Sequence, residues 1–484
     1  MNAKNHTKSK IERNYPLFFA YKIYDSECKI NKRKSKNVKC KSFIFFICNK
    51  CSKHFTNFSH LKRHVLQVEF KKTNKCPNCK KFVKRIDEHR KFCKFYYPSN
   101  ALFSNQFNKE KPIYKKYLST NKVFDLNSIV EKIIEEYKSK YDYNIIKDKY
   151  ILFCDNLIGS GSYGEVLFGA KLDDNSALAI KIQKDNIDKD TIENEMNVLK
   201  SLPKNLTFPN FFYREVSENG NLMIESLVGP TIEKLYQFCD SSFDIATICN
   251  IGIDLINCFE ILHGLGYVHN DIKSDNVAIL LQDRNKEKYG ISCTLIDFGK
   301  SKKFDTSDDQ KKKLNENKIG NGNIKYSSYN VLIGGKIGPK DDLESLCYFL
   351  LKYFNNNLPW FNYDMDDKKN YKQFVIDAKK NFDIKKYCNN KYNELIEIFN
   401  DIKNLDFKER PKYSKYKNLF LKIIKNNTSS NIDNMRFKWQ KSFYQVMKEF
   451  KENNNYQVLN DSIKLLFNGI PEQIGFSFLD QYYN

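Results

Sequence analysis

Between residues 157 and 301 five short strings stand in an order that few folds can accommodate. The first, 157-LIGSGSYGEVLFGAKL-172, is a G-x-G-x-x-G-x-V string between two strand-like stretches. Its glycines let backbone lie against phosphate oxygens with no side chain between. Dinucleotide-binding folds use a similar string but run straight into a helix. Here a third β-like run, 178-LAIKIQ-183, follows and presents Lys181 among Ala179, Ile180 and Ile182. Next, 190-DTIENEMNVLKSL-202 has helical periodicity and carries Glu195. After a long apolar helix, 245-IATICNIGIDLINCFEILHGLG-266, comes 269-HNDIKSDN-276, and 294-TLIDFGKS-301 ends the series.

In this order the strings resemble those of the protein kinases. The resemblance implies an α+β, bilobal protein kinase fold, with a β-rich N-lobe and an α-helical C-lobe, working with ATP and Mg2+. It assigns Ile158, Gly159, Ser160, Gly161, Ser162, Tyr163, Gly164, Glu165 and Val166 to the loop over the nucleotide. Glu195 holds Lys181 on the α and β phosphates, Asp271 accepts or orients the acceptor hydroxyl proton, and Lys273 neutralises the transferred group. Asn276 and Asp297 hold Mg2+.

Four further stretches are similar to casein kinase I: 222-LMIESLVGPTIEKLYQF-238, 322-GNIKYSSYN-330, 341-DDLESLCYFLLKYFNNNLPW-360 and 405-LDFKERPKYSKYKNLF-420. The HND triplet leans to the vaccinia-related branch of that group. The resemblance covers about residues 150–425 and implies transfer to Ser or Thr of protein substrates. By analogy Asp342 anchors the catalytic loop from a buried helix, and Ile224 lies at the gatekeeper position. The hinge Glu225-Ser226-Leu227 follows, with Glu225 and Leu227 at the nucleotide.

The chain departs from the pattern at three places. Asn270 stands where most protein kinases have the Arg that pairs with a phosphate on the activation loop, so no activating phosphorylation is expected. Asn323 replaces a Thr that Ser/Thr kinases place against the catalytic Asp and Lys, and an amide can make similar hydrogen bonds. Lys300 replaces an apolar residue and is expected to disturb packing under the loop. Lys325 and, by looser alignment, Lys372 match basic residues of the substrate groove. Loss of a third charge at Asn270 implies reduced dependence on a priming phosphate. An active enzyme is the expectation. The alternative is a pseudokinase scaffold whose fingers bind nucleic acid or protein.

Charge divides the chain. Residues 1–100 hold 26 Lys+Arg against 6 Asp+Glu, and the other 384 residues hold 55 against 52. The run 76-CPNCKKFVKRIDEHRKFC-93 has the spacing C-x2-C-x9-H-x3-C, which brings Cys76, Cys79, His89 and Cys93 onto one tetrahedral Zn2+. It resembles the small C2HC fingers. The preceding run matches C-x2-C-x3-F-x5-L-x2-H through Cys48, Cys51, Phe55, Leu61 and His64. Its fourth ligand stays open between Glu69, water and Cys40. A His60–His64 pair and a degenerate finger without metal are the other readings. The excess of positive charge on residues 1–100 points to nucleic acid, bound by releasing phosphate counterions. A solvated basic face and a protein-docking finger are the alternatives.

These observations divide the chain into a basic segment 1–46, a degenerate C2H2-like finger 47–70 and a C2HC-like finger 74–95. A linker with an amphipathic helix at 126–141 spans 96–149, the kinase domain 150–426, and a helical extension 427–484. Asn127 or Ser128 can cap the linker helix. Uninterrupted apolar runs such as PLFFAY and FIFFIC are far shorter than a membrane span, and the first ten residues lack the apolar core of a secretory signal. The expectation is an intracellular monomer, in cytoplasm or nucleus, without membrane contact. Its 14 cysteines are then expected to serve as metal ligands and buried thiols.

Overall fold

The computed structural model describes the backbone of Phe19–Asp25, Ser42–Cys48 and His54–Phe55, and residues 125–483 except 141–142, 161–163, 184–188, 205–206, 218–219, 282–291, 305–322, 355–357, 362–367, 389–391, 407–408 and 428–435. The chain forms two compact units, 1–120 with 217–220, and the rest. In the first, β1 (Phe19–Asp25), β2 (Ser42–Cys48) and β3 (His54–Phe55) make an antiparallel sheet in that order. β1 and the first five residues of β2 lie in the segment 1–46, for which the sequence gives no secondary structure, and β2 runs on into the segment 47–70. Cys48 ends β2 opposite Phe19. Cys51, His64, Cys76, Cys79, His89 and Cys93 lie outside the described residues.

The second unit begins with α1 (Leu126–Lys140), whose Leu126, Val130, Ile133 and Ile134 are buried at the expected helical spacing. Its start is capped by Asp125, which accepts from Ser128 N at 3.4 Å, and not by Asn127 or Ser128. A six-stranded sheet follows, built from β4 (Tyr143–Ile146), β5 (Tyr150–Ser160), β6 (Gly164–Lys171), β7 (Ala177–Gln183), β8 (Phe211–Ser217) and β9 (Gly220–Ser226) in the order β4-β5-β6-β7-β9-β8. Between β7 and β8 the chain forms α2 (Lys189–Ser201). Register shifts between Leu152 and Gly159 break the β5–β6 ladder where the glycine string begins. Gly164 re-enters the ladder at φ +153°, where a Cβ would collide with the carbonyl of Ile182.

A helical lobe follows the crossing at residues 226–230. Its first members are α3 (Ile232–Phe238) and α4 (Ile245–Gly264), the latter capped by Asp244, which accepts from Thr247 N at 2.8 Å. Short strands β10 (Tyr267–Val268), β11 (Val277–Ile279), β12 (Cys293–Leu295) and β13 (Lys302–Lys303) hold the loops between, β10 with β13 and β11 with β12. Then come α5 (Tyr329–Leu332), α6 (Pro339–Phe354), α7 (Lys368–Lys380), α8 (Asn393–Asn404) and α9 (Tyr413–Asn427). Against the reading from apolar runs, α4 is long and apolar enough to cross a membrane, with mean hydropathy 1.6 over its most apolar stretch. Asp254, Glu260 and His263 interrupt its runs. It is the core helix of this lobe, 67% buried over that stretch, and packs against α6 and α9. The seven cysteines of this unit are free and buried.

The C-terminal extension is helical, as expected, and forms α10 (Lys438–Asn453), α11 (Tyr456–Leu466) and α12 (Glu472–Asp480). It packs on the large lobe, where Lys234 of α3 donates to Leu466 O at 3.3 Å. The extension also reaches the small lobe. Asn156 Nδ2 donates to Gly469 O at 3.2 Å, and α12 packs on α1. Gly469 sits at φ +80°, and a Cβ there would collide with the carbonyl of Leu157. Strain and overpacking then add, so Gly469→Ala is expected to lower unfolding free energy by about 2–4 kcal/mol. Chemical denaturation beside the wild type checks this; equal midpoints would refute the contact.

Candidate active site

Strand register decides which side chains face the cleft. Directly opposite residues of an antiparallel pair share a face, as do alternate residues along each strand. Val166 opposes Lys181, Lys181 opposes Met223, and Ala179 opposes Glu225. Val166, Ala179, Lys181, Met223 and Glu225 therefore lie on one face. Ile224 opposes Ile180, and both are fully buried on the other. The expected gatekeeper, Ile224, is thus one residue out of phase, and Glu225 holds that place. Leu227 is buried and donates its N–H to Ala177 O at 3.0 Å, while Ser226 N donates to Asn210 O at 2.9 Å.

α2 brings Glu195 to this face. Lys181 Nζ lies 2.5 Å from Glu195 Oε1 and 2.9 Å from Glu225 Oε1. Burial opposes the charge on Lys181, but Glu195, Glu225 and Asp297 outweigh it and hold its pKa above the usual lysine value. Burial also pushes Glu195 up, to about 7, with Glu225 and Asp297 adding to the rise and Lys181 working against it. A carboxyl raised in the folded state contributes stability that is complete below its unfolded value and lost as pH rises through about 7. In nucleotide-free protein, Glu195→Gln is therefore expected to gain thermal stability relative to wild type as pH rises from 5 to about 8. Parallel melting-temperature profiles for the two proteins would rule this out.

The second cluster surrounds Asp271, only 2% exposed. Asp342 of α6 anchors its loop by accepting from His269 N at 2.7 Å and Asn270 N at 2.9 Å. His263 Nε2 is 2.9 Å from the same carboxylate, and its Nδ1 is 2.7 Å from Tyr413 Oη. Within the loop, Asn276 Nδ2 donates to Asp271 O at 2.9 Å and Oδ2 at 3.1 Å. Lys273 Nζ lies 3.3 Å from Oδ2, and Lys300 Nζ 3.2 Å from Oδ1. Asp271 is thus held at both oxygens.

Lys300 does not disturb the packing beneath it, contrary to expectation, since Phe298 is fully buried. Its turn is pinned from two sides. Asn194 Nδ2 lies 3.2 Å from Phe298 O and Gly299 O and 2.7 Å from Ser301 O. Asn270 Nδ2 donates to Lys300 O at 3.2 Å. Asn270 has φ +62°, a left-handed conformation that asparagine tolerates better than most side chains. This residue therefore fixes the turn that delivers Lys300 to Asp271. Asn323 turns its side-chain oxygen back onto Lys325 N at 3.0 Å, making a local turn in place of the expected contact with Asp271 and Lys273.

Ile158, Gly159 and Ser160 end β5, and Glu165 and Val166 lie in β6 after Gly164; Gly161, Ser162 and Tyr163 lie outside the described residues. Among the described residues no group of three or more His, Cys, Asp or Glu side chains converges as a metal site. Asn276 and Asp297 nonetheless suit magnesium bound with a nucleotide, which needs only one or two protein ligands. The nitrogen of Asn276 is committed to Asp271, leaving its oxygen for a cation. Asp297, at φ +64°, precedes the pinned turn.

A sheet carrying an ion-paired lysine, joined by one crossing to a helical lobe carrying a restrained aspartate, defines a phosphoryl-transfer domain. A model of the protein kinase domain family matches residues 154–421, more than half of the chain. The protein belongs to the protein kinase family, whose members use ATP and Mg2+ and act on protein substrates.

Proposed function

We propose that the protein is an active serine/threonine kinase of the casein kinase I-like group, recruited by a basic zinc-binding module to nucleic acid or nucleoprotein. One observation carries the catalytic part: the Lys181–Glu195 pair is closed at 2.5 Å while Asp271 is held by Asn276 and Lys273. Asn276 and Asp297 would hold Mg2+, which when bound neutralises charge on the phosphate oxygens. Asp271 orients the acceptor hydroxyl and takes its proton, Lys273 offsets charge on the moving group, and Lys181 positions the phosphates. The four stretches similar to casein kinase I support the group and the Ser/Thr acceptor. Cys76, Cys79, His89 and Cys93 would hold zinc, and the charge of residues 1–100 supports an anionic partner.

The test is transfer of labelled γ-phosphate to casein and to the protein itself by wild type, Asp271→Ala and Lys181→Ala. Phosphoserine or phosphothreonine that disappears in both variants supports the proposal. No transfer by folded, zinc-loaded protein, tried also on acidic, basic and pre-phosphorylated acceptors, moves the function to a scaffold. Recruitment is checked by nucleic-acid affinity, which should fall steeply between low and physiological salt.

A further inference from the structure

Thr191, Asn194 and Glu195 stand at the spacing that shares one face of α2. All three meet the short turn that follows Asp297. Glu195 Oε1 accepts from Phe298 N at 3.3 Å while it also holds Lys181. The Asn194 amide spreads its two hydrogens over three carbonyls, with Nδ2 3.2 Å from Phe298 O and Gly299 O and 2.7 Å from Ser301 O. Gly299 lies so close to the helix that a Cβ on it would come 2.7 Å from Thr191 Cγ2. The remaining carbonyl of the turn, Lys300 O, is held by Asn270 Nδ2 of the catalytic loop. Lys300 projects from this turn, and its Nζ lies 3.2 Å from Asp271 Oδ1. A movement of α2 that opens the Lys181–Glu195 pair also withdraws a shared donor from three carbonyls. Backbone groups that lose a partner away from water do not keep their place without cost.

We propose that Asn194 is a positioning residue: through the turn at residues 298–301 it ties the seat of Lys300 on Asp271 to the closed position of α2. This deepens the reading of Asp271 as the base of the proposed kinase and rests on it. The amide of Asn194 bonds the turn and not Asp271, so its effect on transfer runs by way of Lys300.

The experiment joins two readouts on the full chain. One is single-turnover phosphate transfer to casein at saturating ATP. The other is acetylation of individual lysines by acetic anhydride, followed by mass spectrometry. Wild type is compared with Asn194→Leu, Asn194→Ala, Lys300→Met and the double variant Asn194→Leu with Lys300→Met. Asn194→Leu is expected to slow transfer about fivefold or more through misplacement of a group beside the reacting atoms. In the double variant the loss should stay within about twofold of that in Lys300→Met alone, because both changes remove the same contact. Independent effects would multiply. Lys300 should be acetylated about threefold faster in both Asn194 variants than in wild type, once its ammonium leaves the carboxylate. Exposed Lys302 and Lys303 serve as internal references, so a general loosening does not imitate the effect. Losses that multiply in the double variant overturn the inference. So does acetylation of Lys300 at the wild-type rate in both folded Asn194 variants, and that outcome leaves the kinase reading standing. If wild type transfers no phosphate, the kinase reading falls by itself, and selective acetylation of Lys300 in the variants still upholds the link from α2 to Asp271.

Discussion

Asp271→Ala is expected to lower kcat by about a thousandfold or more, within the range for loss of a positioned acid–base group, with little change in KM for ATP. The carboxylate is buried and held at both oxygens, and it makes none of the contacts assigned to the nucleotide. Its loss should therefore appear in the chemical step. Lys300→Met tests the other side of the same geometry. It removes one ammonium 3.2 Å from Oδ1 but leaves Asn276 and Lys273 on Oδ2, so a fall of about tenfold is expected. Single-turnover transfer at saturating ATP separates the two variants. A rate increase in Lys300→Met would show that the ammonium occupies the seat of the acceptor hydroxyl, and the positioning role would be abandoned.

The largest effect on stability is expected at Lys379 of α7, a fully buried lysine far from the reacting groups in sequence. Its Nζ donates to Ile324 O at 3.1 Å, Lys325 O at 3.0 Å and Ser327 O at 2.6 Å. The same ammonium stands 4.5 Å from the Tyr348 ring centre and 5.1 Å from that of Trp360. Burial pulls its pKa well below the ordinary lysine value, with Glu344 opposing. Lys379→Met keeps much of the volume but leaves three carbonyls without that donor, at a cost of about 3–5 kcal/mol. Denaturant unfolding should show the loss, and amide exchange should rise first in residues 323–328. Wild-type stability in the variant would mean that water replaces the ammonium without penalty.

The elements read most clearly from sequence were those whose signal is local. The glycine string, the short β-run with Lys181 and the periodic helix with Glu195 each follow from a few neighbouring residues. Strand phase was harder. In 222-LMIESL-227 the choice of Ile224 or Glu225 as the cleft residue depends on pairing with β7, and apolar residues on both sides hid the alternation. Burial of Lys379 gave no sequence signal, because its partners are backbone carbonyls and aromatic rings distant along the chain. Lys300 was misread as a packing defect because its partner lies 29 residues away, in a loop folded back by Asp342. The two last helices of the extension are short, and their apolar faces have meaning only against the surfaces they cover.

Those helices also bear on cleft opening. Residues 466–473 touch α3 through Lys234, β5 through Asn156 and the Leu157 carbonyl, and α1 through Gln473. The crossing at residues 226–230 is therefore not alone in linking the lobes. A second, non-covalent seam runs beside it. Any rocking of the sheet away from the helices must shear backbone packed too closely there to admit one methyl group.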